Sequence, residues 1–478
     1  QLVGPSGVQV LAARIPGGLT LDLVAPPFGI SLINSSILGR VSLTGAQLRW
    51  VVLSGSETGE IYAPEITSGV IWMNGVRSSG PLDLDGAKID GSIYLAGAHF
   101  LHAPLPYLEE LNSWNLAVRM AYAKVRGFVD LTHGFEADGA VEIDNSSIGG
   151  DFTLFGSRFI NPKNVALNAA SDVIGGDVML SFTVEKQLPA QFDGAVQFID
   201  DQIAGGLYAD KVSFEGDPGT RHGLYIVSTP IKGSLFVRSI ALRNGGELFL
   251  GGSTVHTLFD DEQGWPKPGK LTLDGFSYDY LGNPLSADAR VRWLALQPGF
   301  NPQPYKQLAK VLAESGDDAG AIRVRIAAED LRYARLGLLG RIWGAFLKKT
   351  IGYGHRPMLT IMWSVAVVIF GWLVVSIGGS AGIMRRTWPE NAPRESEKEY
   401  EPLRPLVYSL DVFLPFVNLH QEHYWWPNTT ASGACRVLGV PINLKGSLIL
   451  YYLWVQIIAG WILSAIFVAG VTGLIRNE

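Results

Sequence analysis

Four polar residues stand close together in an otherwise apolar part of the chain: Asp411, Asn418, His420 and Glu422, with His423 beside them. Asp411 lies inside the run Leu406-Val407-Tyr408-Ser409-Leu410-Asp411-Val412-Phe413-Leu414. A carboxylate among apolar residues is costly unless it meets a cavity, a cation or a local partner, so it marks a candidate functional position. The alternative is a local cap or ion pair, for example with Arg404. His420, Glu422 and His423 have the ligand chemistry of a divalent-metal site, but their spacing matches no metal motif. Hydrated polar groups at a surface are the expected reading there, and no metal is assigned. Gln456, in a later apolar run, is of the type that hydrogen-bonds between helices.

A second set of reactive groups is a row of carboxylates: Asp83, Asp85, Asp90, Asp130, Asp144 and Asp151. Paired carboxylates cleave glycosidic bonds when held at a defined separation. Most of these alternate with apolar residues and are expected to face solvent, so no catalytic residue is assigned. The chain has no Gly-x-Gly-x-x-Gly between a strand and a helix, no Cys-x-x-Cys, no Walker-type loop and no Gly-x-Ser-x-Gly. No cofactor is expected, and the protein reads as non-enzymatic. The lone cysteine, Cys435, excludes an internal disulfide and a cysteine-cluster metal site. A net charge of −6 gives no ground for a nucleic-acid partner.

The elements that must position these groups are of two kinds. Through the first 275 or so residues a phrase recurs: Gly, any residue, apolar, any residue, apolar. Examples are Gly39-Arg40-Val41-Ser42-Leu43, Gly80-Pro81-Leu82-Asp83-Leu84, Gly91-Ser92-Ile93-Tyr94-Leu95 and Gly150-Asp151-Phe152-Thr153-Leu154, with neighbouring copies often about 10–13 residues apart. A second phrase follows several of them, as in Leu84-Asp85-Gly86-Ala87-Lys88-Ile89. Period-two apolar residues share one face of a short strand, and glycine permits a tight corner. Short strand-like units repeated at this period predict a solenoid. The expected fold is a right-handed parallel β-helix from about residue 10 to 285, with Val41, Leu43, Leu82, Leu84, Ile93 and Leu95 inward. The phrase stops between Phe100 and Arg126, where Leu108-Glu109-Glu110-Leu111 and Leu116-Ala117-Val118-Arg119-Met120 have helical spacing. A helical interruption is expected at about 101–126.

Residues 286–350 read as a tetratricopeptide-like helical hairpin: one helix over Gln303–Leu312, a turn at Gly316-Asp317-Asp318, and a longer basic helix from Ala319 to about Leu347. The basic helix suits the anionic inner face of a membrane, or shields the open end of the solenoid. Residues 351–478 read as a membrane domain. Two uncharged runs, about 357–379 and 446–475, exceed the roughly 20 residues needed to span a bilayer. The segment 405–427 between them is too short to cross and reads as a re-entrant loop or as an interfacial helix with Tyr424, Trp425 and Trp426 at the surface. Lys348, Lys349 and Arg356 before the first span and Arg476 after the second predict both termini in the cytoplasm. The start at Gln1 shows no basic stretch followed by an apolar run, so no signal peptide is expected there.

Several of these phrases together resemble one group. They are the Gly-Asp-Φ-x-Φ and Leu-x-Gly-Ala units, Gln303-Pro304-Tyr305-Lys306-Gln307-Leu308-Ala309, Gly352-Tyr353-Gly354-His355-Arg356-Pro357, and Tyr408-Ser409-Leu410-Asp411 with Leu414-Pro415. The chain is similar to bacterial pentapeptide-repeat-like membrane proteins, some of which carry the label "membrane-associated oxidoreductase". The two-span layout also resembles the pore module of two-transmembrane potassium channels. Phe413-Leu414-Pro415-Phe416-Val417-Asn418 stands where that family has its Thr-Val-Gly-Tyr-Gly filter, so potassium selectivity by a carbonyl ring is not implied. The expectation is an oligomeric, channel-like protein of the bacterial inner membrane, with membrane lipid and copies of itself as partners. Asp411, Asn418, His420 and Glu422 are its candidate pathway residues. The competing expectation is a membrane-anchored scaffold or accessory subunit of a larger complex.

Overall fold

The computed structural model describes residues 7–101, 115–181, 188–356, 358–387, 401–437 and 440–472. The chain divides into two compact units, Gln1–Val324 and Arg325–Glu478.

The first unit is built on two parallel sheets of 19 strands each. Each strand pairs with ones about one coil before or after it along the chain, some twenty residues away at the start of the unit and further where residues 101–115 intervene. Val41 is in register with Ile61, Ile61 with Leu82 and Leu82 with Val118. In the other sheet Leu48 is in register with Ser68, Ser68 with Ile89 and Ile89 with Val125. Val41, Leu43, Leu82, Leu84, Ile93 and Leu95 are fully buried, as the alternation requires. The buried positions recur every five residues: Val41, Ala46, Val51, Ser56, Ile61, Ile66, Ile71 and Val76 all have no exposed surface. The Gly-containing phrase therefore marks only some of the units, because others put a small or polar residue inside.

Two kinds of glycine shape the corners. Gly45 has φ +61°, a left-handed conformation in which a Cβ is unfavourable. Gly127 matters for closeness instead. Its amide donates to Gly91 O at 2.7 Å, and it is followed by Gly150 on Gly127, Gly176 on Gly150 and Gly205 on Gly176. A side chain at Gly127 would collide with the Gly91 backbone. The glycine at Gly127, Gly150, Gly176 and Gly205 is thus required by close stacking rather than by backbone angle. Inside, Phe100, Phe135, Phe159, Phe192 and Phe214 form a continuous row with centroids 6.2, 5.6, 4.7 and 5.7 Å apart.

The expected helical interruption is corrected in part. Leu116–Ala121 is a strand, buried on nearly its whole length, pairing with Leu82–Asp83 and Ala140–Asp144. Burial on both faces removes the period-two signature and leaves a spacing that imitates a helix. Leu108–Leu111 lies outside the described residues.

The unit ends in helices α1 (Ala287–Leu294), α2 (Pro302–Glu314) and the start of α3 (Asp318–Ala334). α1 is capped by Ser286 and buries Arg290, Trp293 and Leu294. Arg290 pairs at 2.7 Å with Asp260, which also accepts from Trp265 Nε1 at 2.8 Å. α2 closes the last strand, Ser277–Leu281, with two side-chain amides: Gln303 Nε2 donates to Phe276 O at 3.1 Å and Gln307 Nε2 to Tyr278 O at 2.6 Å. These two glutamines satisfy carbonyls that no further strand takes up.

The expected long basic helix is two helices. α3 ends at Ala334, and α4 (Leu338–Ile351) begins after Gly337, which is in an extended conformation. The second unit continues with α5 (Met358–Ser380), α6 (Pro405–Phe413), α7 (Gln421–Tyr424) and α8 (Gly446–Val471). α5 and α8 are long and apolar enough to cross a membrane, by length and composition. Two short antiparallel pairs join the segments between them: Met384–Arg386 with Trp425–Pro427, and Ser432–Val437 with Val440–Lys445.

Candidate functional site

α6 begins at Pro405, whose ring suits the first turn of a helix. Its apolar residues pack against both long helices. Tyr408 and Val412 lie in a cluster with Val375, Ile449 and Leu453. One turn further on, Phe413 packs with Val368 and Leu463, near the middle of α5 and well inside α8. α6 therefore runs inward along the two long helices rather than across their ends.

Ser409 fixes that position. Its hydroxyl donates to Val368 O at 2.8 Å, and Gln456 Nε2 lies 2.9 Å from both the Ser409 carbonyl oxygen and its hydroxyl oxygen. Ser409 is fully buried and Gln456 is 1% exposed. Gln456 is thus the interhelical hydrogen-bonding residue expected from its type, with α6 as its partner. Two glycines make room. A Cβ on Gly371 would collide with Ser409 and Gln456, and one on Gly460 would collide with the Phe413 carbonyl.

Asp411 faces the returning chain. Leu419 N donates to its Oδ1 at 2.6 Å and Glu422 N to its Oδ2 at 2.9 Å. The carboxylate is 7% exposed. Asp411 pairs locally, but with backbone amides rather than with Arg404. Arg404 instead gives its main-chain N–H to Gln421 Oε1 at 3.1 Å, and Gln421 Nε2 donates to Glu401 at 3.0 Å. Two amides on one buried carboxylate fold residues 414–420 back along α6 as a tight loop.

That loop carries the other candidates. Asn418 Oδ1 accepts from His420 N at 2.8 Å, and His420 sits at φ +63°. Phe416, Val417, Asn418, Leu419 and His420 are all exposed, Phe416 to 79%. Glu422 is half-buried and His423 exposed. The rings of His420 and His423 are 6.1 Å apart, edge to face. Among the described residues no group of three or more His, Cys, Asp or Glu side chains is placed to hold a metal. The structure therefore brings Asp411 and Glu422 together through one hydrogen bond and leaves Asn418 and His420 on the open face of the loop. Ser409 is the site residue that sequence reasoning missed; a serine in an apolar run has no distinguishing signal beyond its neighbour Asp411.

The carboxylate row of the first unit is less uniform than its spacing suggested. Asp90 is exposed, and Asp130, Asp144 and Asp151 are half-buried. Asp83 is 2% exposed, in register with Tyr62 on one side and Arg119 on the other. Arg119 lies 2.9 Å from Asp85 and 3.4 Å from Glu142. Burial raises the carboxyls of Asp83, Asp85 and Glu142 above the usual range, and Arg119 opposes that rise. This is a partly buried ion-pair cluster, joined by its own arginine.

A further polar ladder runs along one corner. Ala123 N donates to Ser146 Oγ, Ser146 N to Asp172 Oδ1, Asp172 N to Asp201 Oδ1, Asp201 N to Thr229 Oγ1 and Thr229 N to Ser253 Oγ, at 2.8, 2.6, 2.8, 3.3 and 3.1 Å. Burial is the main cause that pushes the Asp172 carboxyl up to about 7 and Asp201 up to about 8. At the start of the unit, Val8, Val10, Leu19, Leu21, Phe28 and Ile30 line an apolar cavity of about 660 Å³. No protein-family model, curated protein or solved structure matches the chain.

Proposed function

We propose that this is a non-enzymatic membrane protein whose second unit is an oligomeric, channel-like module, and whose first unit is a right-handed parallel β-helix on the cytoplasmic side of a bacterial inner membrane. The observation that carries this reading is the anchoring of α6 by Ser409 to Val368 and Gln456, deep between two helices long enough to span. A short helix that runs inward and returns through a tight polar loop is the arrangement of a re-entrant pore loop. The exposed loop face, with Asn418 and His420, finds its lining when several copies surround an axis, because one pair of spans cannot enclose a water path.

The parallel registers and the five-residue spacing of buried positions support the β-helix and the likeness to pentapeptide-repeat proteins. Lys348, Lys349 and Arg356 ahead of α5 support termini in the cytoplasm. The test is reconstitution of the purified chain into liposomes. A symmetric oligomer with cation flux above empty liposomes, altered by Asn418→Asp at unchanged oligomer size, is the expected result. A monomer with no flux removes the channel reading. It leaves the scaffold reading, which the long ladder of parallel strands favours by offering an extended docking face.

A further inference from the structure

α4, α5 and α8 leave a groove on the second unit that α6 does not fill. One part, about 470 Å³, is lined by Phe346, Lys349, Trp363, Val367, Ile462 and Leu463. A second part, about 270 Å³, continues between Phe370, Tyr452, Val455 and Gln456. The two share Trp363, Val367 and Ala459, so they form one apolar channel along the α5–α8 pair with a single cation, Lys349, at its α4 end.

The cation is available. Lys348 is taken by Asp330 at 2.7 Å, whereas Lys349 is exposed and has no ion-pair partner among the described residues. Its own carbonyl accepts from Trp363 Nε1 at 2.9 Å, which ties the end of α4 to the first turns of α5. Leu338, Leu339, Ile342, Trp343 and Phe346 of α4 are exposed, the composition of a helix lying at a membrane surface. With α5 and α8 as spans, the groove would start at headgroup level and run toward the bilayer interior.

We propose that this groove binds one phospholipid of net negative charge, with the headgroup phosphate on Lys349 and an acyl chain along Trp363, Val367, Ala459 and Ile462. The proposal rests on α5 and α8 spanning a membrane. It favours lipid over a second copy of the chain because neither α5 nor α8 carries an acidic residue, so a neighbouring copy's spans would leave Lys349 unmatched. Charge and groove together match an anionic amphiphile.

The test uses the full chain, purified in detergent and stripped of lipid, titrated with phosphatidylglycerol or phosphatidylcholine of identical acyl chains and read by native mass spectrometry. One phosphatidylglycerol per chain is expected, bound about fivefold more tightly than phosphatidylcholine, the size of one lysine beside an anionic surface. Lys349→Gln should abolish the preference and Lys349→Arg should keep it. Ala459→Phe, which fills the groove without touching the charge, should weaken both lipids; Ile462→Trp serves if that variant melts early. An unchanged preference in Lys349→Gln, or full binding in both groove-filling variants, overturns the proposal. So does a groove that takes up lipid only in dissociated copies. These outcomes are separate from failure of the membrane reading, which a chain soluble without detergent would reveal.

Discussion

Gln456 of α8 donates to both oxygens of Ser409 on α6, at 2.9 Å each, near the middle of two helices that carry no charge. In such surroundings the amide has few alternative partners, so the bond specifies how deep α6 sits. Gln456→Leu is expected to lower the melting temperature in detergent. A double-mutant cycle with Ser409→Ala should give a coupling of about 1 kcal/mol, within the range for hydrogen bonds between membrane helices. Additive effects of the two substitutions would mean that the pair does not hold α6.

Gly460 gives a steric version of the same prediction. A methyl group there meets the Phe413 carbonyl well inside contact distance. Gly460→Ala should destabilise the second unit by about 1–3 kcal/mol, the usual range for overpacking, while Gly382→Ala, where a Cβ meets nothing within 4 Å but φ is +68°, reports the cost of backbone strain alone. Thermal melts of both variants separate the two effects. No loss, or a gain, in Gly460→Ala, as helix propensity alone would give, would show that α6 does not press on Gly460.

Asp411 holds the returning loop by two amides. Asp411→Asn keeps one acceptor and loses the other, so the Leu419 or the Glu422 amide hydrogen should exchange faster, by about tenfold for roughly 1.4 kcal/mol lost. Hydrogen exchange resolved to that peptide checks it; unchanged protection would show that the loop is held by other contacts.

The corner ladder predicts a pH dependence of the first unit. The carboxyls of Asp172 and Asp201 are raised in the fold, to about 7 and about 8, from an ordinary value near 3.8. Between those limits the folded state binds more protons than the unfolded chain, so this contribution is full below about pH 4 and is lost as pH rises toward 8. Asp144 and Glu142 near Asp172, and Asp200 near Asp201, act in the same direction. Asp201→Asn retains an acceptor for the Asp172 amide and removes the ionisation. It should be more stable than wild type at pH 9, by about 2 kcal/mol, with the difference shrinking as pH falls and gone below about pH 4. A gap that is constant with pH would place the titration elsewhere.

Leu84 is fully buried, as are Ala63 and Leu43, which lie in the same row two residues after the registered Ile61 and Val41. Leu84→Asp places an unpaired charge in that row and should cost more than about 4 kcal/mol, enough to unfold the unit. Wild-type circular dichroism and melting in that variant would show the register to be wrong.

Much of this could be read in the residues beforehand, for identifiable reasons. Val41, Leu43, Leu82 and Leu84 alternate with polar residues, and alternation survives folding because it is a property of the strand itself. The five-residue unit was harder to see because Ala46, Ser56, Thr58 and Ser68 fill inner positions with side chains that carry little hydropathy. Leu116–Ala121 misled because it is covered on both faces. The run of Gln303 and Gln307 looked like part of a helical repeat, yet its amides end a sheet; only the position of the last strand reveals that. At the candidate site, Asp411 and Gln456 announced themselves as polar groups in apolar runs. Their partners, Ser409 and the amides of Leu419 and Glu422, are set by how the loop folds back, which local spacing does not encode.

The strand registers bear on how the chain reaches this state. Ile61 needs Val41, and Leu82 needs Ile61, each some twenty residues back, so no pairing in that stretch waits for a distant part of the chain. Loop closure there is short, and each completed strand is the template for the next. Synthesis from the amino end presents the strands in the order in which they pair. Once the first few are laid down, the first unit can grow residue by residue as it emerges, and Gln303 and Gln307 arrive last to end the growth and deny its final edge to other chains.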